Sequence, residues 1–268
     1  MRKGILSFAF LSFISLHLTA QASPPSETRY PLSESELNSS LREIGTLVEK
    51  GSFGEAKERY QTLIQYDLPT QDRIALEKAL EELNIKILFS PTITPDSFSY
   101  TVQPGDSLYK IAKEHHTTID LIKGSNRLSR DFLRSEMKLK ISKAVYSIAV
   151  DISENKLKLY SNQELLKTYP IATGRKGHET PTGTFTIVNK LVDPTWYKAG
   201  AVVPPGSPDN ILGTRWLGFS LATYGIHGTT LPEAIGTYVS EGCIRMLNHD
   251  VEELYTIVPL NTTVTVTE

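Results

Sequence analysis

The sequence predicts an α+β multidomain chain: a small helical region, then a βααβ module, then a mostly-β domain of sandwich or barrel type. Three observations carry this. Apolar residues recur at helical spacing over residues 33–89, a strand–helix–helix–strand pattern fills 99–143, and strand-like alternation runs from 145 to 268. At 268 residues with 40% hydrophobic content, the chain can bury a sizeable core, and its length suggests about two domains.

The first 22 residues stand apart from these domains. Arg2 and Lys3 precede an apolar run from Ile5 to Leu18, and Ala20-Gln21-Ala22 has the small-x-small form of a secretory cleavage site. Residues 1–22 are therefore expected to be a signal peptide, and the protein to be exported to the periplasm or cell envelope. The run is short of the roughly 20 apolar residues of a spanning helix, although retention as an anchor stays open. Losing the leader changes the formal charge from −2 to −4, too mild a balance to point to nucleic acid. Residues 23–34 are rich in Ser, Pro and Glu and read as a flexible leader.

Helical signals begin at Ser33, which has capping-box spacing to Glu36, and Leu37, Leu41, Ile44 and Val48 fall on one face before Gly51 stops the helix. Ser52 and Glu55 repeat the box ahead of Ala56, Tyr60 and Leu63. A third helix from Gln71 to Leu88 carries Leu76, Leu80, Leu83 and Ile87 on one stripe. Gly51–Ala56 with Tyr60 vaguely resembles one tetratricopeptide-type hairpin, but a single unit is short of the roughly three that such arrays need. The preferred reading is a spacer or docking bundle, with an envelope protein as its expected partner. Ser90-Pro91-Thr92-Ile93-Thr94-Pro95-Asp96-Ser97 then breaks any helix, marking 90–98 as a linker.

Tyr100-Thr101-Val102-Gln103-Pro104-Gly105-Asp106-Ser107-Leu108 reads as a strand, a turn and a helix capped by Asp106 or Ser107. Leu108, Ile111 and Ala112 form its buried face. Thr118 caps a second helix with Ile119 and Ile122, and Lys138–Ile141 closes as a strand. The run Tyr-x-Val-x-x-Gly-Asp-Ser-Leu-x-x-Ile-Ala, with Leu121 and Asn126, resembles the lysin motif (LysM), although Glu136-Met137 replaces the usual Gly-Gln. The resemblance implies binding of N-acetylglucosamine-containing glycan strands through the loops that contain Gly105, Asp106, Ser107 and Asn126. For Asp106 a purely capping role is at least as good a reading. His115 and His116 read as solvated residues at a helix end, and neither is assigned to a metal.

From residue 145 the pattern is strands: Tyr146–Val150, Lys156–Tyr160, Glu164–Ile171, Phe185–Asn189, one ending at His227, and Thr263–Val266. One helix follows Asn248, read as its cap, and carries Val251, Leu254 and Val258.

Cys243 is the chain's single cysteine, so it has no intrachain disulfide partner, and it sits in Ser240-Glu241-Gly242-Cys243-Ile244-Arg245-Met246. A lone cysteine is ordinarily a small buried hydrophobe. Beside an imidazole or a positive field, however, a thiol becomes a nucleophile for acyl transfer. His227 is close enough in sequence for a strand and a return to bring its ring to the sulfur. Gly242 allows a sharp turn that would aim its N–H and that of Cys243 at a bound oxygen. No carboxylate has an obvious spacing to orient the imidazole, which leaves a backbone carbonyl for that task.

Ile226-His227-Gly228-Thr229 followed by Ser-x-Gly-Cys-Ile-Arg-Met closely resembles the active-site signature of the L,D-transpeptidases of bacterial cell walls, the YkuD-like cysteine enzymes. The stretch from Ala172 to Phe185, with Pro181-Thr182-Gly183 in it, then Pro194-Thr195-Trp196-Tyr197, Pro204-Pro205-Gly206 and Asn210-Ile211-Leu212-Gly213 extend it over residues 145–268. Ile211, where proline is frequent, and Glu241, where neutral or basic residues are common, depart from it. The resemblance implies that Cys243 attacks the carbonyl of meso-diaminopimelate in a peptidoglycan tetrapeptide stem and expels D-alanine. His227, oriented by the Gly228 carbonyl, would move the protons, and a second stem would accept, giving a 3→3 cross-link. Arg245 would either stabilise the loop or bind a substrate carboxylate. Tyr224 and Trp196 are expected to line the cleft and Ser240 to hydrogen-bond across it, with core packing an equal reading for both aromatics. No cofactor or metal is expected. Water as acceptor would make an L,D-carboxypeptidase and a lipoprotein lysine an anchoring enzyme. A non-catalytic wall-binding factor is the alternative from another class.

Overall fold

A computed structural model describes residues 31–198 and 200–268, so the expected signal peptide and most of the leader lie outside the described residues. The described end of the leader is ordered: Pro31 bridges to Asp67 and Ser33 caps the first helix. Helices α1 (Glu34–Lys50), α2 (Phe53–Ile64) and α3 (Thr70–Leu88) come first. Ser33 and Glu36 form the full reciprocal box, and Gly51 ends α1 in the left-handed region at φ 77°. The second expected box does not form, because Ser52 sits at ψ 57° with no side-chain cap bond. Leu37, Ile44, Ala56, Leu63, Leu76 and Leu83 close this bundle's core.

Strand β1 (Ser97–Thr101), α4 (Leu108–Glu114), α5 (Ile119–Ser125) and β2 (Lys138–Ser142) form the βααβ unit, with β1 antiparallel to β2. Ser107, not Asp106, caps α4 by accepting the Lys110 N–H. His115 is not solvated as expected: it is half-buried, edge-on to Phe98 and Tyr100 at centroid distances of 5.1 and 5.5 Å.

The remaining elements are β3 (Tyr146–Asp151), β4 (Lys156–Ser161), β5 (Glu164–Pro170), β6 (Thr173–Gly174), β7 (Gly183–Val192), β8 (Trp196–Lys198), β9 (Ala201–Val203), β10 (Arg215–Phe219), β11 (Gly225–His227), β12 (Tyr238–Ser240), β13 (Ile244–Arg245), α6 (Asn248–Ile257) and β14 (Thr263–Thr267). Eight strands form one sheet in the order β13-β11-β10-β7-β14-β3-β4-β5, with β14–β3 and β11–β13 parallel and the rest antiparallel. The inward residues Ile148, Leu159, Ile187, Leu217, Ile226 and Val264 join Val251, Leu254 and Ile257 of α6 in one core.

The three regions interlock. Helix α3 lies along β5 at the sheet's edge, where Asn84 Nδ2 donates to the Leu165 and Leu166 carbonyls at 3.4 and 3.3 Å. Lys140 of β2 donates its ammonium to the Ile87, Ser90 and Leu88 carbonyls at 2.8, 3.0 and 3.4 Å, closing the C-terminal end of α3, and burial brings its pKa down to about 8. Thr118 donates to the Thr256 carbonyl of α6, and Leu121 of α5 enters the large core.

Candidate active site

The proposed thiol lies one residue ahead of β13, and the imidazole ends β11. Register pairs Trp216 with His227, Ile226 with Ile244, and His227 with Arg245. Strand alternation therefore divides these residues between two faces. Leu217, Ile226 and Ile244, all 0% exposed, point to the core. Trp216, His227 and Arg245 point the other way, and Cys243, one residue ahead of β13, extends that face opposite Gly225. Gly225 has no room for a side chain, since a Cβ would lie 2.5 Å from the Leu217 carbonyl oxygen and 2.9 Å from Trp216 Cζ2.

His227 is 1% exposed and stacks on Trp216 with centroids 5.9 Å apart and planes 19° from parallel. Its Nδ1 donates to the Gly228 carbonyl oxygen at 2.6 Å, so the expected carbonyl orients the ring and the free lone pair is on Nε2. Burial brings its pKa down from 6.5 to about 4, outweighing the backbone hydrogen bonds at Gly228 and Leu212 that favour the cation, and the Arg245 charge adds to the fall.

The Cys243 thiol is half-buried and donates to the Thr223 carbonyl oxygen at 3.5 Å. Burial raises its pKa above the ordinary thiol value; a backbone hydrogen bond from Gly225 and the Arg245 charge pull the other way, and Glu241 adds to the rise. Burial thus disfavours both charged forms, the thiolate and the imidazolium. Arg245 is 7% exposed, its Nε is buried with no hydrogen-bond partner, and it makes no ion pair among the described residues. Glu241 pairs instead with Arg175 at 3.7 Å, both exposed at the rim.

The turn before the thiol differs from expectation. Gly242 adopts φ +104°, which an L side chain rarely takes, and a Cβ there would meet Tyr224 Cε1 at 2.6 Å. Its N–H, expected to face a bound oxygen, donates to Ser240 Oγ at 3.1 Å, and Ser240 donates to the Cys243 carbonyl at 2.6 Å. Ser240, expected to reach across the cleft, is 0% exposed and holds the turn closed from inside. Cys243's own N–H has no partner among the described residues. Tyr224, expected to line the cleft, packs its ring against Gly242 of the turn. Trp196 stands on the β8–β9 hairpin opposite Val203, while the aromatic against the imidazole is Trp216, which sequence reasoning missed.

Asn248 also departs from its reading as a cap. It is the first residue of α6, makes no cap bond, and its Oδ1 accepts the N–H groups of Thr229 at 3.1 Å and Thr214 at 3.3 Å.

In the βααβ unit, Asp106 turns inward. Its carboxylate accepts from Tyr100 Oη at 2.7 Å and the Gln103 N–H at 2.8 Å and pairs with Lys110 at 3.3 Å, which holds its pKa below the usual carboxylate value. Asn126 is likewise consumed, bonded to both the N–H and the carbonyl of Lys140 at 2.7 and 2.8 Å. Ser107 is spent on its cap, and Gly105, at φ +85°, turns the loop. Gly105, Asp106, Ser107 and Asn126 thus hold the shape of the two loops expected to meet sugar. No group of His, Cys, Asp or Glu among the described residues could hold a metal ion.

Comparisons with known proteins agree with this architecture. The L,D-transpeptidase catalytic domain (YkuD) family matches residues 145–266 and the LysM domain family matches 100–142. The Bacillus licheniformis protein named L,D-transpeptidase YkuD is 39% identical over 175 residues, which cover 63% of this chain and 98% of that protein. Its Bacillus subtilis namesake is 38% identical over 174 residues with the same coverage, and the Escherichia coli protein named L,D-transpeptidase ErfK/SrfK is 34% identical over 132 residues, 44% of this chain and 42% of that protein. The chain belongs to the L,D-transpeptidase family, as an enzyme of that type whose LysM peptidoglycan-binding module precedes its catalytic domain.

Proposed function

We propose that this enzyme is an exported cysteine transpeptidase that forms 3→3 cross-links between peptidoglycan stems through a thioester on Cys243. One observation carries the reading: His227 ends β11, Cys243 immediately precedes the neighbouring β13 on the same face, and Nδ1 of the imidazole is tied to Gly228, which leaves Nε2 as the base. Burial, which disfavours both charges, sets the order of steps. As Cys243 Sγ bonds to the donor carbonyl carbon, its proton passes to His227 Nε2. The oxyanion forms beside the unpartnered Cys243 N–H. Collapse breaks the bond to the terminal D-alanine, whose nitrogen takes the proton from the imidazolium. The acceptor amine then attacks the thioester, gives its proton to His227, and releases the thiolate, which is reprotonated.

Arg245 fits a substrate carboxylate better than a loop-holding role, because its Nε lacks the carbonyl partner that such a role requires. Export rests on the leader in residues 1–22 and on a lone thiol left unpaired, which suits an oxidising compartment.

The test is mass spectrometry of disaccharide-tetrapeptide incubated with the mature protein and with Cys243→Ala. Dimers lacking one D-alanine, absent with the variant, are expected. Tripeptide monomers alone would assign hydrolysis instead, and an unchanged stem with the protein still retained on insoluble peptidoglycan would favour a binding factor.

A further inference from the structure

The peptide group that orients His227 is itself held by a side chain from another element. The Gly228 carbonyl and the Thr229 N–H belong to one planar trans unit, so they point in opposite directions and neither turns without the other. The carbonyl end takes the His227 Nδ1 proton at 2.6 Å, and the N–H end donates to Asn248 Oδ1 at 3.1 Å. The same oxygen accepts the Thr214 N–H at 3.3 Å, while the Gly228 N–H donates to the Arg215 carbonyl at 3.2 Å. Two N–H donors converging on one atom require an acceptor there, so chemistry fixes which way the amide faces. The fit is close: a Cβ on Gly213 or Gly228 would lie 2.2 Å from that oxygen. Asn248 in turn is fixed by α6, whose Val251 and Leu254 are 0% exposed.

We infer that Asn248 is a positioning residue for His227, acting through the Gly228–Thr229 peptide. By accepting the Thr229 N–H it aims the Gly228 carbonyl at Nδ1 and strengthens that carbonyl as an acceptor, since hydrogen bonds in a chain polarise one another. The proton stays on Nδ1, and Nε2 keeps the lone pair. The array Asn248–peptide–His227–Cys243 thus supplies the orienting function that other cysteine and serine enzymes give to a side chain bonded directly to histidine. The inference rests on His227 being the proton-transfer partner of Cys243.

The test uses the full mature chain with Asn248→Ala and Asn248→Asp, the second keeping an acceptor at the same reach. With disaccharide-tetrapeptide, the alanine variant is expected to lose roughly 10–100-fold in kcat with little change in KM, and the aspartate variant to recover most of it. Independently of turnover, 15N NMR of histidine-labelled protein reads the His227 tautomer: Nδ1-protonated in the native and aspartate chains, mixed in the alanine chain. An alanine variant whose imidazole keeps the Nδ1 proton, with any kcat loss matched by lost stability, overturns the inference. Should the alanine variant not fold, the aspartate variant decides. Its added negative charge must raise the His227 pKa, and an unchanged value overturns the inference. Turnover retained by Cys243→Ala would instead remove the nucleophile reading, leaving the tautomer result to stand or fall by itself.

Discussion

At the scale of single residues, His227 pairs burial with function in a way that can be measured as stability. Its native pKa of about 4 is below the ordinary 6.5, so the unfolded chain takes up the proton first as pH falls. Native stability is then full above pH 6.5, declines through the window down to about pH 4, and is flat below it, a loss of about 3 kcal/mol. Urea unfolding at pH 7 and pH 4.5 should show the decline, and His227→Gln should flatten it. The same pKa keeps the imidazole able to accept a proton down to about pH 4. The residue scale also shows where sequence reading ends. That a backbone carbonyl beside His227 takes its Nδ1 proton was legible because no carboxylate stands at a suitable spacing. That Ser240, Asp106 and Asn126 spend their polar atoms inside the fold depends on partners that only packing reveals.

Among elements, the long amphipathic helices and the β3–β4 hairpin were legible from periodicity, as were the α1 box and its glycine stop. The strands that build the site were not, apart from the end of one at His227. Strands β11 and β13 have three and two residues, too few for alternation to register, and β13 exists because it pairs in parallel with β11. The turn between β12 and β13 is tightly constrained. Gly242→Ala must place a side chain at φ +104° and against Tyr224. It should cost about 1–3 kcal/mol and move the thiol, so turnover falls more than the melting temperature suggests. Iodoacetamide labelling of Cys243 beside a thermal melt measures both, and an alanine variant with native turnover would show that the turn is not tightly held.

For the whole molecule, the helical region is packed as a layer on the chain's own sheet, and the family matches leave it unassigned. It covers an edge strand, and uncovered edges invite pairing with other chains. A chain beginning at residue 97 should therefore melt lower and aggregate on size-exclusion chromatography. It also strands the Lys140 ammonium without its three carbonyls, so Lys140→Met should recover part of the loss. A soluble monomer with an unchanged melt would refute the docking role. Over that scaffold the central claim is that one thiol on one sheet face carries the acyl group. Intact-protein mass spectrometry, in the seconds after mixing with disaccharide-tetrapeptide, tests it most directly. The account predicts a mass gain equal to the stem minus D-alanine, mapped to the peptide containing Cys243 and absent in Cys243→Ala. Cross-linked product formed with no adduct on Cys243, or formed equally by the alanine variant, would contradict it.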